Sequence, residues 1–84
     1  MDIAYITTEK AKVSKFGDAL LVRFNGRILT TIPLIEMKSL VIVGSVQLTT
    51  QVIHSLMSKG ISVYYMNHSG QFWTISNHLN HFEK

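Results

Sequence analysis

The side chains of this chain that can do acid–base or metal chemistry are few and widely spaced. Of the 84 residues, five are Asp or Glu, four are His, and none is Cys. No two carboxylates have a spacing that would bring them together, so catalysis by a paired acid and base has no support in the sequence. Cysteine nucleophiles, disulfides and thiolate metal sites are excluded. Glycine-rich phosphate loops and serines in a GxSxG context are also absent.

One spacing is typical of metal ligands. His78 and His81 form an HxxH pair near the C-terminal end. On a helix, an i, i+3 spacing places both imidazoles on one face, where they can hold a transition metal. No third ligand is nearby in the sequence, so a solvated tail segment is the alternative interpretation. A small metal-dependent hydrolase that uses this pair is one hypothesis for the chain.

Aromatic side chains cluster on two neighbouring predicted strands, where Tyr64, Tyr65, Phe72 and Trp73 lie. Rings on a sheet face can stack nucleic-acid bases. Side chains alternate along a strand, however, so each adjacent pair sends one ring to each face. This favours a core on one side and a protein interface on the other. We take Tyr64, Phe72, Trp73 and Ile75 as candidate interface residues.

The composition is apolar for so short a chain, with 46% hydrophobic and 15% charged residues. A small domain has a high surface-to-volume ratio, so this balance predicts that part of the surface is covered by a second copy or another domain. A very apolar core is the alternative. The net charge of +3 permits contact with nucleic acid without requiring it. The Lys and Arg residues are scattered, with a loose cluster at 10–15.

The sequence shows no targeting signal. The longest apolar run, 40–43, is far shorter than the roughly 20 residues that a membrane span needs. We therefore expect no membrane association and a cytoplasmic location.

Seven strands and one short helix are predicted to position these side chains. Alternation and turn residues place the strands at 3–7, 12–16, 19–24, 27–32, 39–43, 61–66 and 71–75. The predicted fold class is mainly β (α+β), a small β-sandwich or a twisted mixed sheet with one helix packed on it. Residues 1–76 form the domain, and 77–84 are a polar tail or the start of a linker.

Asn25 and Gly26 predict the best hairpin in the sequence. A two-residue type I′ turn needs positive φ at both positions, which Asn and Gly tolerate best. That turn predicts a register whose opposed pairs are Phe24 with Arg27, Val22 with Leu29, and Leu20 with Thr31. Both faces of the hairpin carry apolar residues, so we expect it to pack on both sides.

The helix is predicted at 50–58 by signals at both of its ends. Thr49 is placed to accept a hydrogen bond from the first turn as the N-cap. Gly60 suits the left-handed residue that ends a helix, and Ile61 can pack back on Leu56 in a Schellman motif.

The segment 32–75 carries an ordered set of features. They are Ile-Pro-Leu at 32–34, an aliphatic strand that ends at Gly44, the capped helix that ends at Gly60, a Gly-Ile turn into a strand, and a Gly-aromatic hairpin from Gly70. In this order they resemble the N-terminal domain of CRISPR-associated protein one, the integrase of spacer acquisition. With the upstream hairpin, the resemblance covers nearly the whole chain.

The resemblance implies a metal-dependent DNA endonuclease and integrase. Such a protein uses Mg or Mn and acts with a second small CRISPR-associated protein to insert short foreign DNA. It implies a metal site of Glu, His and a further acidic residue in a larger helical domain C-terminal to this one. No residue here matches that set, so we expect the chain itself to be non-catalytic.

The N-terminal domain of the family is implied to form a homodimer and to support the captured double-stranded DNA. On that interpretation the candidate DNA contacts are Lys12, Lys15, Arg23 and Arg27. The alternative function is a stand-alone β-module that binds nucleic acid or a protein partner.

Overall fold

The computed structural model describes residues 2–75, which form eight strands and one helix. The elements are, in chain order, β1 (Ile3–Ile6), β2 (Lys12–Phe16), β3 (Ala19–Phe24), β4 (Arg27–Pro33), β5 (Ser39–Val43), β6 (Gln47–Leu48), α1 (Thr50–Ser58), β7 (Ser62–Met66) and β8 (Phe72–Ile75). The predicted mainly-β fold is confirmed, and all seven predicted strands are present. Strand β6 is not predicted by the sequence, because two residues carry too little pattern to be recognised.

Four strands form sheet A in the order β1-β5-β7-β8. β1 and β7 are both parallel to β5, and β8 returns antiparallel to β7. Parallel neighbours require a crossover connection, and α1 lies in the one between β5 and β7. The carboxyl ends of β1, β5 and β7 therefore meet at one edge of sheet A.

The other four strands form sheet B in the order β4-β3-β2-β6. β2, β3 and β4 are an antiparallel meander, and the short β6 pairs parallel to β2.

The core lies between the two sheets and the helix. The buried side chains of the described residues are all apolar. Sheet B contributes Leu20, sheet A contributes Leu40 and Ile42, and α1 contributes Leu56, each fully buried. Burying each such side chain stabilises the fold by about 1.5–3 kcal/mol relative to leaving it exposed.

The hairpin of β3 and β4 begins as predicted and then departs from the predicted register. Asn25 and Gly26 have φ of 53° and 76°, as a type I′ turn requires. A bulge then shifts the register, so that Val22 lies opposite Thr30, and the predicted pairing of Val22 with Leu29 is wrong. The remaining pairs are Leu21 with Thr31, Leu20 with Ile32 and Ala19 with Pro33, so the predicted pairing of Leu20 with Thr31 is also wrong.

Burial explains this shift of register. In the predicted register Leu20 would face Thr31, whereas the bulge pairs it with Ile32, and both side chains are buried. The extra residue, Leu29, is left 49% exposed. Burying Leu20 and Ile32 on one face stabilises the fold more than the regular ladder of hydrogen bonds that the bulge interrupts. Only one face of the hairpin packs on the core, because Ile28 is 54% exposed.

The ends of α1 follow the predicted chemistry. The Thr49 hydroxyl accepts a hydrogen bond of 3.2 Å from the Val52 backbone N–H, which satisfies a free donor of the first turn. At the other end, Gly60 has a φ of 74° and the N–H of Ile61 donates to the carbonyl of Leu56 at 2.9 Å. These contacts are the predicted Schellman motif. Among residues 2–75, no helix combines the length and apolar character that crossing a membrane requires.

Candidate nucleic-acid and protein interfaces

Three cationic side chains lie close together on the side of sheet B that faces away from the core. Lys12 on β2 and Arg23 on β3 are register partners, and their neighbours Val13 and Val22 point into the core. A concavity of about 490 Å³ opens here. We call it the basic notch, and its lining residues are Lys10, Lys12, Arg23, Phe24, Asn25 and Gly26.

The charges of Lys12 and Arg23 are not balanced within the described part of the chain. Like charges directly opposite each other on paired strands are destabilising. Neither Lys12 nor Arg23 has a side-chain hydrogen bond or ion pair with another described residue. A bound anion would therefore relieve the repulsion between them, and phosphate oxygens suit both side chains.

The other two predicted DNA contacts lie elsewhere on the surface. Lys15 lines a different groove, of about 590 Å³, beside α1. Arg27 begins β4 just after the turn and is not among the residues that line the basic notch. The structure thus brings Lys12 and Arg23 together and adds Lys10, which belongs to the loose cationic cluster at 10–15 but is not among the predicted DNA contacts.

The face of sheet A that points away from the core is apolar. Ala4, Leu40 and Val63 are buried, so the alternate side chains of their strands point outward. We call this surface the outer face of sheet A, and its apolar members are Ile3, Tyr5, Val41, Val43, Tyr64, Met66 and Phe72. Contiguous exposed apolar surface of this kind is typical of a docking site.

Two aromatic rings pack against each other where β7 and β8 meet on this face. Tyr64 on β7 and Phe72 on β8 are stacked, with ring centroids 5.8 Å apart and an interplanar angle of 19°. Such a pair adds about 0.5–1.5 kcal/mol beyond the area that it buries. Phe72 is nevertheless 54% exposed, so the stacked pair offers a flat apolar surface to a partner.

The four predicted interface residues do not form one surface. Tyr64 and Phe72 share the outer face of sheet A, whereas Trp73 pairs with Tyr65 and lies on the opposite face. Burial raises the pKa of Tyr65 above its ordinary value of 10.0. Ile75 ends β8, where its backbone pairs with Val63.

A close contact between a carboxylate and an imidazole, which the sequence does not reveal, joins two loops at the carboxyl edge of sheet A. His68 Nε2 lies 2.7 Å from Glu9 Oε1, and Glu9 Oε2 accepts a hydrogen bond of 3.2 Å from the Ser45 backbone N–H. These two contacts lower the pKa of the Glu9 carboxyl below its ordinary value of 4.5, the His68 contact most. The sequence gives no indication of this contact, because Glu9 and His68 are 59 positions apart. Recognising that β1 and β7 are parallel would have placed their following loops together.

The described residues do not fit the divalent metal that the resemblance implies. Residues 2–75 contain no group of three His, Cys, Asp or Glu side chains that could hold a metal ion. His54 is exposed on α1. The predicted pair His78 and His81, and the predicted tail at 77–84, lie outside the described residues.

Solved structures share this fold. A Cas1 protein from Thermotoga maritima is 17% identical with a TM-score of 0.77 over 90% of this chain and 24% of that one. A partial Cas6-RT-Cas1–Cas2 complex is 16% identical with a TM-score of 0.79 over 90% of this chain and 23% of that one. A casposase bound to its integration product is 16% identical with a TM-score of 0.70 over 90% of this chain and 25% of that one. The fold is thus a two-sheet β-domain of the class present in Cas1 and casposase structures.

The family follows from a match along the sequence. The family model described as CRISPR associated protein Cas1 matches residues 4–83. This chain belongs to that family, which is the one that the ordered features of 32–75 resemble. A comparison with curated proteins gave no match. The chain spans about a quarter of the length of the three solved relatives described above.

Proposed function

We propose that this chain is the N-terminal assembly domain of a Cas1-type integrase of spacer acquisition. In this role it pairs with a second copy through the outer face of sheet A and contributes the basic notch to DNA contact. On this proposal residues 1–76 make up the domain, and 77–84 are a polar tail or the start of a linker.

The observation that carries this proposal is the outer face of sheet A. On a soluble domain a contiguous apolar sheet face is stabilised when a partner covers it. The outward strand positions of this face carry no charged side chain; the polar ones are Ser39, Ser62 and Thr74. An uncharged surface does not repel its own copy, so it suits a two-fold contact in which the same patch serves both subunits.

The basic notch supports a role in holding DNA. Phosphate contacts from Lys and Arg position a protein on a duplex without reading its sequence. A solved casposase holds an integration product, and a solved Cas1 structure holds DNA. By analogy, double-stranded DNA is the proposed ligand of the notch, and a Cas2-type protein is the proposed partner of the complete protein. The chain alone is proposed to be non-catalytic, with Mg or Mn bound elsewhere in the full-length protein.

Sedimentation of the 84-residue chain tests the dimer. The wild-type chain should sediment as a dimer, and Phe72→Ser should raise the dissociation constant at least about tenfold, the loss expected for an interface hot spot. Phe16→Ser is the matched control, because Phe16 is also an exposed ring, 73% accessible, but lies on sheet B. The control should leave the dimer intact.

The same experiment separates the alternative function. A wild-type chain that stays monomeric at high concentration would overturn the proposed dimer. If that monomer still binds DNA with a strong dependence on salt, the stand-alone nucleic-acid-binding module becomes the better description. If Phe72→Ser and Phe16→Ser weaken the dimer equally, the dimer contact does not lie on the outer face of sheet A.

A further inference from the structure

Glu9 is the point at which three loops are tied together at the carboxyl edge of sheet A. Its carboxylate contacts His68 of the loop after β7 at 2.7 Å and the N–H of Ser45, after β5, at 3.2 Å. The carbonyl of Ser45 in turn accepts a hydrogen bond of 2.6 Å from the N–H of Lys10. Ser45 is therefore held on both sides by the loop that follows β1. We call Glu9, Ser45 and His68 the clasp.

Gly44 makes room for the clasp. Its φ of 93° suits glycine, and a Cβ at this position would lie 2.5 Å from Glu9 Oε1 and 3.1 Å from His68 Nε2. Its N–H is bonded to the Met66 carbonyl at 2.9 Å, which fixes the loop under the contact between Glu9 and His68. A side chain at position 44 would therefore displace the ends of the Glu9 and His68 side chains from the positions that they occupy in the clasp.

The clasp is joined directly to the basic notch through one turn. The N–H of Ala11 donates to the carbonyl of Thr8 at 3.2 Å, so residues 8–11 form a tight turn. Lys10, inside that turn, has a φ of 66°, which is uncommon for a residue with a side chain. Lys10 also lines the notch beside Lys12 and Arg23. The contacts of Glu9 and Ser45 hold the turn in this strained form.

We infer that Glu9 and His68 are positioning residues that hold Lys10 in place for phosphate binding in the basic notch. This inference rests on the proposed DNA-binding role of the notch and adds to it a pair of residues that touch no phosphate. The titratable groups that face Glu9 are His68 and Lys10. A clasp that is formed keeps Lys10 beside the other two cations, and a clasp that is broken releases it.

The direction in which DNA affinity changes when Glu9 is removed distinguishes a positioning role from a simple effect of its charge. Glu9 is a negative charge near a basic site, so by charge alone its removal would strengthen the binding of an anion. If Glu9 positions Lys10, its removal weakens binding instead. Asp18→Ala removes the same charge at the β2–β3 turn, where its side chain has no hydrogen bond or ion pair with a described residue.

The experiment is a titration of a labelled DNA duplex of arbitrary sequence with the full chain at several salt concentrations. Glu9→Ala should bind more weakly than Asp18→Ala, with a salt slope lower by about one, the loss of one phosphate contact. His68→Ala should behave like Glu9→Ala, whereas His54→Ala, which removes an exposed imidazole on α1, should match the wild type. The double variant Glu9→Ala/Lys10→Ala should bind no more weakly than Lys10→Ala alone, because Glu9 acts through Lys10.

The outcomes separate this inference from the proposed function. If the wild-type chain shows no salt-dependent binding, the DNA role of the notch fails and the clasp has nothing to position. If the wild type binds DNA and the affinity of Glu9→Ala for the duplex equals or exceeds that of Asp18→Ala, only the positioning role is overturned. The positioning role would also be overturned if the losses of DNA affinity from Glu9→Ala and Lys10→Ala were additive in the double variant. Thermal unfolding of each variant shows that the comparison is made between folded chains.

Discussion

Lys12 and Arg23 are direct cross-strand neighbours on sheet B, so two cations face solvent side by side. Paired strands normally place opposite charges or apolar residues at such positions, because like charges there are destabilising. The arrangement therefore costs stability in the free domain. It has a physical rationale if an anion occupies the basic notch, and this leads to the first prediction.

Replacing both cations should reduce the dependence of DNA binding on salt. Each phosphate contact to a duplex contributes about 0.9 to the slope of log affinity against log salt. We expect Lys12→Ser/Arg23→Ser to lower that slope by about two and to weaken binding to all sequences alike. Fluorescence anisotropy of labelled duplexes at several salt concentrations measures it.

The control for this variant is Lys38→Ser, which removes a positive charge that lines neither the notch nor the groove beside α1. A fall in slope of about one for this control would mean that net charge, rather than the notch, governs binding. Testing Lys15→Ser in parallel decides whether the groove beside α1 also contacts the duplex.

Gly44→Ala should destabilise the domain more than Gly70→Ala does. The two glycines have nearly the same φ, 93° and 92°, so an alanine at either site carries a similar backbone cost of about 1–3 kcal/mol. At Gly44 the new methyl group also meets the clasp, whereas at Gly70 no heavy atom lies within 4 Å. Urea unfolding of both variants gives the difference in free energy.

A double variant identifies the source of that difference. In a Glu9→Ala background the Oε1 atom is gone, so the excess cost of Gly44→Ala over Gly70→Ala should shrink. An unchanged excess would show that Gly44 is required for a reason other than its contact with Glu9.

The contribution of Glu9 to stability should disappear in acid. Its pKa is lower in the folded chain than its ordinary value of 4.5, chiefly because of the His68 contact. The stabilisation is therefore fully present above pH 4.5 and is lost as the pH falls through the lowered value. The melting temperature of Glu9→Gln should lie below that of the wild type at pH 7, and the two should converge once the pH falls below the lowered pKa of Glu9.

Asp18→Asn is the matched control for this pH series, since it makes the same chemical change at an exposed turn. Its melting temperature should follow that of the wild type more closely at pH 7. If the melting temperature of Glu9→Gln remains equally far below that of the wild type at the lowest pH, a stabilising role of the ionised carboxylate is contradicted.

Thr49→Ala should destabilise the domain by about 1 kcal/mol. The hydroxyl of Thr49 caps α1 by accepting from Val52, and loss of a Thr cap typically costs about 0.5–2 kcal/mol. Thr50→Ala is the control, because Thr50 is the first residue of the helix and its hydroxyl makes no hydrogen bond with a described residue. Chemical unfolding should show a clear loss for the first variant and a small change for the second.

Local chemistry made much of the fold predictable. Asn25 and Gly26 identify a turn because few other residues tolerate positive φ, and Thr49 and Gly60 mark the ends of the helix for equally local reasons. The bulge at Leu29 was not predictable in this way. It depends on which face of β4 is buried, and Ile28, Leu29 and Ile32 are equally apolar in the sequence.

The candidate sites were predictable only in part, because each depends on which strands are neighbours. The pairing of β2 with β3 brings Lys12 and Arg23 together, and the sequence predicts both as DNA contacts without predicting that they are neighbours. Glu9 and His68 meet because β1 and β7 both run parallel to β5, an order that no local signal encodes. Alternation correctly separates Phe72 from Trp73, yet both were placed in one predicted interface.

The parallel pairing of β1 with β5 also governs when the domain can fold. Strand β1 is synthesised before its partner β5, which follows only after the whole β2–β3–β4 meander has left the ribosome. The meander consists of neighbouring strands and can pair early, whereas β1 must wait with its apolar residues exposed. Until β5 is available, β1 is therefore open to mispairing, and its late docking onto β5 completes one edge of sheet A.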